Sequence, residues 1–318
     1  MRFLFPAFQR LISRLCLLAF LLILSGCHDE PSSPLRVGSI PWAGYEPLFL
    51  AKSLGFYPAD QVVLKELNAS TETLRAIKQG QLDVAALTLD EALRLAEQLP
   101  DLRILLVMDI SHGADKVISH PDIATLSQLK GKRIAVEEST VGAYMLFQTL
   151  AQAGLELNDI IPVAATINQH LSLMRSGQAD AVITFDPVAF KLQKAGYQVL
   201  LDSRQIKNRI LDVLVTTQQQ LEQKPDQIAS LLEGYWQAHA KLKAAPEEAY
   251  ILIAPRLKIE PNELGRLYAD LILPDQVENQ RLMNQQLSKI INNMGQFMMD
   301  EGLLKALPDT DALLAQQP

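Results

Sequence analysis

Gly80-Gln81-Leu82-Asp83-Val84 returns further along the chain as Gly177-Gln178-Ala179-Asp180-Ala181. Each copy follows a segment with apolar residues at helical spacing, Leu74 and Ile77 in one and Leu171 and Met174 in the other. Each leads into an apolar run ending in Thr-x-Asp, as Thr88-Leu89-Asp90 and Thr184-Phe185-Asp186. Helix, glycine stop, short apolar strand and polar strand end make one α/β unit. Its repetition implies two related lobes. Ligands of open parallel sheets bind beyond the C-terminal strand ends. Two such edges facing each other would form a cleft, with Thr88, Phe185 and Asp186 as candidate ligand contacts. The bland reading is that both Asp residues only cap helices, and Asp90 is read as a cap.

Working outward, strands are predicted over Leu35–Ile40, Val62–Glu66, Asp83–Thr88 and Leu102–Ile110. Helices are predicted over Pro47–Leu54, Thr71–Gln79 and residues 91–98. The alternation restarts with strands at Lys116–Ser119, Arg133–Val136, Ala181–Thr184, Gln198–Leu201 and Asp212–Thr216. Helices fall at Thr140–Ala153, Gln169–Ser176 and Pro187–Ala195. The order implies mostly parallel sheets with helices on their faces. From Pro225 onward the pattern is helical, broken at Pro246, Pro255, Pro261, Pro274 and Pro308. The division expected is lobe 1 over 35–112, lobe 2 over 113–216, and a helical region over 217–318 packing mainly on lobe 1.

The first 26 residues read as an export signal and are left out of fold reasoning. Arg2, Arg10 and Arg14 precede the apolar run Leu15–Leu24, which at ten residues is too short to span a bilayer. The run ends in Leu24-Ser25-Gly26-Cys27, which resembles the lipobox of bacterial lipoproteins. That implies a lipidated Cys27, a tether over 27–34, and a protein held at a membrane facing the periplasm. His28, where an Asp would signal inner-membrane retention, leans toward outer-membrane sorting. Cys16 leaves with the signal, so the mature chain has no free thiol or disulfide.

Hydrophobic residues at 48% and charged residues at 20% are globular composition. Once the signal is removed, 26 basic residues face 36 acidic ones, a net −10 that disfavours nucleic acid. The histidines are dispersed, so neither a metal nor a cofactor is expected. There is no Gly-x-Ser-x-Gly elbow, phosphate-binding loop or dinucleotide fingerprint, and no enzymatic role is expected.

Trp42-Ala43-Gly44-Tyr45-Glu46-Pro47, Gly55-Phe56-Tyr57, Asp109-x-Ser111-x-Gly113-Ala114-Asp115, Leu129–Glu138, Phe185-Asp186-Pro187 and Asp202–Val215 occur in that order. Together they resemble the nitrate/sulfonate/taurine-type solute-binding proteins, grouped with the thiamine-pyrimidine-precursor binders. The resemblance covers roughly residues 35–220. Lys207-Asn208-Arg209 departs from the Pro-Gly expected there. It implies a type II periplasmic binding protein fold, two α/β lobes joined by a two-segment hinge at Asp109–Gly113 and Asp202–Asp212. It also implies a monomer that delivers a small molecule to an ABC permease and ATPase on separate chains. A ligand-binding co-receptor for a membrane sensor is the alternative. A pyrimidine-precursor synthase is a remote one, since such enzymes rely on a Cys-rich motif missing here.

Trp42 and Tyr45 are candidate aromatic walls, although packing of the lobe edge would also explain them. Glu138 and Thr140 lie where a strand meets a long helix, and Ser139 or Thr140 can cap that helix. Glu137 and Glu138 can equally serve the helix dipole. Asp109, Ser111, Asp115 and Asp212 lie at or near the implied crossovers, where hinge hydrogen bonding is as good a reading as ligand contact. The motif loops hold Glu46, Glu137, Glu138 and Asp186 but no Arg or Lys. A cation, zwitterion or nitrogen heterocycle is therefore expected in preference to an oxyanion.

Overall fold

A computed structural model of the chain describes residues 33–206 and 210–314. The export signal, Cys27, His28 and Lys207-Asn208-Arg209 lie outside the described residues. The strands are β1 (Leu35–Ser39), β2 (Val62–Glu66), β3 (Val84–Thr88), β4 (Leu102–Ser111), β5 (Asp115–Ser119), β6 (Arg133–Val136), β7 (Ile161–Ala164), β8 (Ala181–Phe185), β9 (Gln198–Asp202), β10 (Leu211–Thr217) and β11 (Leu271–Ile272). They form two sheets, one per lobe: β11-β4-β10-β3-β1-β2 and β7-β6-β8-β5-β9.

The sheets are mixed rather than mostly parallel, because β10 runs antiparallel to β3 and β4, and β5 antiparallel to β8 and β9. β10, assigned above to lobe 2, lies inside the first sheet. Leu211 to Thr216 are all buried there, as a strand between two neighbours and two helical layers must be. The second sheet thus draws on one continuous stretch, and the chain crosses twice between the lobes.

The repeated motif has a matching structure in each lobe. The Asp83 carboxylate accepts from the backbone N–H of Arg36 at 2.8 Å and pairs with its guanidinium at 2.5 Å. Asp180 does the same for Arg133, at 2.8 and 2.7 Å. Each bidentate fork ties the chain just before one strand to the neighbouring parallel strand. The guanidinium holds the Asp83 and Asp180 carboxyls below the usual range, in Asp83 against the opposing effect of burial.

Helix Glu46–Leu54 carries Pro47 in its first turn and ends on Gly55 at φ 70°. Helix Thr140–Ala153 starts from Ser139, whose Oγ accepts from the Gly142 N–H at 3.2 Å. Helix Leu89–Ala96 is capped by Thr88, with the Glu91 carboxylate returning to the Thr88 N–H at 3.2 Å. Asp90 is therefore inside the helix rather than its cap. Helix Pro225–Ala244 lies over the first sheet, burying Leu231 and Tyr235 among Leu105, Met108 and Leu214. Helix Leu287–Asp300 buries Leu287, Ile291 and Met294 in the cluster that holds Val107. Full burial of one such side chain is worth about 1.5–3 kcal/mol.

Candidate functional site

The first lobe presents its polar edge where β3, β4 and β10 meet. Asp212 is the register partner of Thr88 on one side and of Asp109 on the other. Because β10 runs antiparallel, its first residues lie beside the last residues of its neighbours. Trp42 Nε1–H donates to Asp109 Oδ2 at 3.0 Å, and the Tyr45 hydroxyl donates to Asp212 Oδ1 at 2.8 Å. Both carboxyls are buried, and burial pushes both up. The negative charge of Asp109 raises Asp212 further, so Asp212 holds a proton against Asp109. A Cβ on Gly44 would sit 1.8 Å from Asp109 Oδ2, which is why the turn carrying the aromatics needs glycine there.

The second lobe contributes Asp115 from β5, Glu137 beyond β6, Phe185 at the end of β8 and Ser139 at a helix start. With His170 and Thr184 these enclose a cavity of about 10 Å³. That is room for about one water. Phe185 meets Trp42 edge to face at 5.4 Å across the cleft. Burial holds His170 neutral, pushed down to about 4, with its ring on Thr184 Oγ1 and the Ala165 carbonyl.

Carboxyl groups crowd this space. Burial raises Asp115 to about 6 and Glu137 to about 6. It also raises Asp90, which feels Asp115, and Glu91, which feels Asp90 and Glu137. Asp115 Oδ2, Asp90 Oδ2, Glu91 Oε1, Thr140 Oγ1 and both Glu137 oxygens are buried without a hydrogen-bond partner. Glu137 faces the Ser70 and Thr71 N–H groups at the start of a lobe 1 helix, without closing a bond to either. Buried carboxylates left this way are costly.

Cations reach some of the acids from afar. Lys116 Nζ sits 3.1 Å from Asp186 Oδ2 and 2.9 Å from Asp270 Oδ2, and Asp186 Oδ1 accepts from the Phe190 N–H at 2.9 Å. Asp186 is thus both paired and a helix cap. Arg256, from the helical C-terminal region, engages buried Glu46 at 3.1 Å. Reading each loop for its own Arg or Lys missed both partners. Glu138 is exposed and lines a separate interlobe cavity of about 320 Å³ with Arg75, Lys78, Arg94 and Thr140.

Ser111 lies between the lobes. Its hydroxyl is 2.7 Å from that of Ser203, and Ser203 Oγ also accepts from the Gly113 N–H at 2.7 Å. The structure therefore gathers Trp42, Tyr45, Thr88, Asp109 and Asp212 at the lobe 1 edge of the cleft, with Phe185 opposite them on lobe 2. Ser111 falls in the crossover, Asp186 in a cation pair, and Glu138 at the mouth. Asp115, read above as hinge or ligand contact, and Glu137, read as serving the helix dipole, both line the small cavity. Among the described residues no cluster of His, Cys, Asp and Glu is placed to hold a metal ion.

Two mixed sheets, crossed twice by the chain and closing a polar cleft between them, define a two-lobed periplasmic-binding-type protein. Residues 42–249 match the NMT1/THI5 like family, and the chain belongs to it. A putative aliphatic sulfonates-binding protein of Escherichia coli (strain K12) is 25% identical over 255 residues, covering 77% of this chain and 79% of that protein. The alkanesulfonate-binding protein SsuA of Xanthomonas axonopodis pv. citri, solved bound to MOPS, superposes with a TM-score of 0.72 at 18% identity. That match covers 88% of this chain and 97% of the other. The desulfurization enzyme DSZB superposes with a TM-score of 0.68 at 16% identity, covering 90% and 97%. The fold alone therefore serves both binders and an enzyme.

Proposed function

We propose that this chain is the solute-binding lipoprotein of an ABC importer, capturing a small cation or zwitterion between its lobes and handing it to a separate permease and ATPase. The sulfonate-binding relatives support the transport role. The ligand charge rests on one observation: buried oxygens of Asp115, Glu137, Asp90 and Glu91 lack partners, while the cleft's Lys116 is committed to Asp186 and Asp270. A sulfonate placed there would meet the charges of Asp115 and Glu137, which ionise by neutral pH, with little screening. An ammonium or protonated heterocycle would supply the missing donors, with Trp42 and Phe185 as apolar walls.

Small-molecule sites usually offer about 300–1,000 Å³, and the cavity beside Asp115 and Glu137 offers about 10 Å³, so the lobes must part to admit a ligand there. The crossovers at Ser111 and Ser203 are the natural hinge. Mass spectrometry of ligand released from the purified protein is the direct test. Recovery of a nitrogenous cation or zwitterion is expected; a stoichiometric alkanesulfonate would overturn the charge assignment. Anchoring through Cys27 is tested by labelled palmitate, which should label the chain but not Cys27→Ala.

A further inference from the structure

Away from the acidic cleft and from the cavity at Glu138, the lobes meet at a further cavity of about 320 Å³, and its lining is mostly basic. Lobe 2 contributes Arg175, Lys191 and Lys194, and the C-terminal helices contribute Lys258, Glu260 and Glu263. Glu263 is already taken by Lys194 at 2.5 Å. That leaves Arg175, Lys191 and Lys258 against Glu260 alone, and among the described residues none of the three forms an ion pair. Lys191 Nζ donates across the lobe boundary to the Leu257 carbonyl at 3.0 Å, which uses one of its three donors. Burial and then the charge of Lys258 push the Lys191 ammonium down, so the cations here are crowded rather than compensated.

Lys258 adds an independent observation. It caps helix Pro246–Leu257 in the left-handed conformation, at φ 54° and ψ 48°. Helices Glu46–Leu54 and Thr140–Ala153 end the same way but on Gly55 and Gly154, for which that conformation is unstrained. Among the described residues Lys258 is the only residue other than glycine with positive φ. Its backbone N–H does the capping, to the Ala254 carbonyl, so the hydrogen-bonded cap itself does not need the side chain. A lysine kept where the other left-handed helix ends carry glycine points to a use for its side chain.

We infer that this cavity is a second binding site, for a small multivalent oxyanion held between Arg175 and Lys191 of one lobe and Lys258 of the other. An oxyanion there joins cations on both lobes, so it favours the closed arrangement over the open one. The site is separate from the acidic cleft; any cleft ligand that also favours closure is linked to it, each tightening the other.

The test is calorimetric and thermal titration of the full chain in detergent with inorganic pyrophosphate, at constant ionic strength, with Lys258→Gly and Arg175→Gln as variants. Lys130→Gln, at a distant lobe 2 ion pair, is the control. Saturable binding at one site per chain and a rising melting temperature are expected for wild type and control. Lys258→Gly should melt no lower than wild type without pyrophosphate, since it relieves the backbone, yet bind it at least tenfold more weakly; Arg175→Gln should weaken it similarly. Absence of saturable binding, or a response that Lys258→Gly and Arg175→Gln leave intact, would overturn the assignment.

Discussion

Asp109 and Asp212 are register partners on adjacent antiparallel strands, both buried, and each accepts from an aromatic donor, Trp42 and Tyr45 respectively. The pair ties Trp42 and Tyr45 to the sheet edge, so their polar tips are satisfied within the protein. What they offer a ligand is ring surface.

This pair makes stability depend on pH. Asp212 is raised in the folded state, so folding takes up a proton above the ordinary Asp range of about 3.9. Stability is highest below that range and falls as pH rises toward the folded value. Asp212→Asn keeps an acceptor for Tyr45 and a donor for Asp109 without needing the proton. Urea melts at pH 5 and pH 8 should show a smaller loss in the variant than in wild type; equal losses would place the effect elsewhere.

The cleft carboxyls should make ligand binding depend on pH in the sense that marks a cation. Asp115 and Glu137 each titrate near 6 in the folded chain. Below that value protons compete with a cationic ligand, so affinity should fall about tenfold per pH unit for each carboxylate it needs. Calorimetry at pH 5 and pH 7.5 measures this, and Glu137→Gln should flatten the profile. Affinity that improves on acidification would identify an anion instead.

Gly44→Ala should destabilise the protein by about 1–3 kcal/mol, the usual penalty for forcing atoms into a packed site. The added Cβ meets Asp109 Oδ2 and lies 2.7 Å from Trp42 Nε1. Loss of the Trp42–Asp109 hydrogen bond should accompany it, visible as a changed Trp42 indole N–H resonance. Wild-type stability together with an unchanged resonance would refute the account.

Lys116→Met should cost about 3–5 kcal/mol, because it leaves the buried Asp186 without its cation. Asp186→Asn in the Lys116→Met background should recover part of that loss. A double variant no better than the single would show that packing around Lys116, rather than charge, governs the effect.

The sequence showed much of this because strands and helices alternate with clear glycine stops. Arg133–Val136 and Thr140–Ala153 occur as read. β7 was missed because Ile161-Pro162-Val163-Ala164 is a largely exposed edge strand containing proline, with no apolar alternation to betray it. Strand direction was misread for β5 and β10 because periodicity carries no sign of it. At the site, Glu138 and Glu137 look alike in the sequence. Only the end of β6 at Val136 decides that Glu137 turns inward. The partners of Glu46 and Asp186 were out of reach for another reason: Arg256 and Lys116 lie far from them along the chain.

The strands of the second sheet lie between Asp115 and Asp202, and the points where the chain enters and leaves this lobe are joined by the 2.7 Å contact of Ser111 with Ser203. In topological terms the second lobe is an insertion into the first, spliced at two neighbouring points. Its two splice points lie side by side, so a small change of backbone angle at Ser111 and Ser203 swings the whole inserted lobe as one piece.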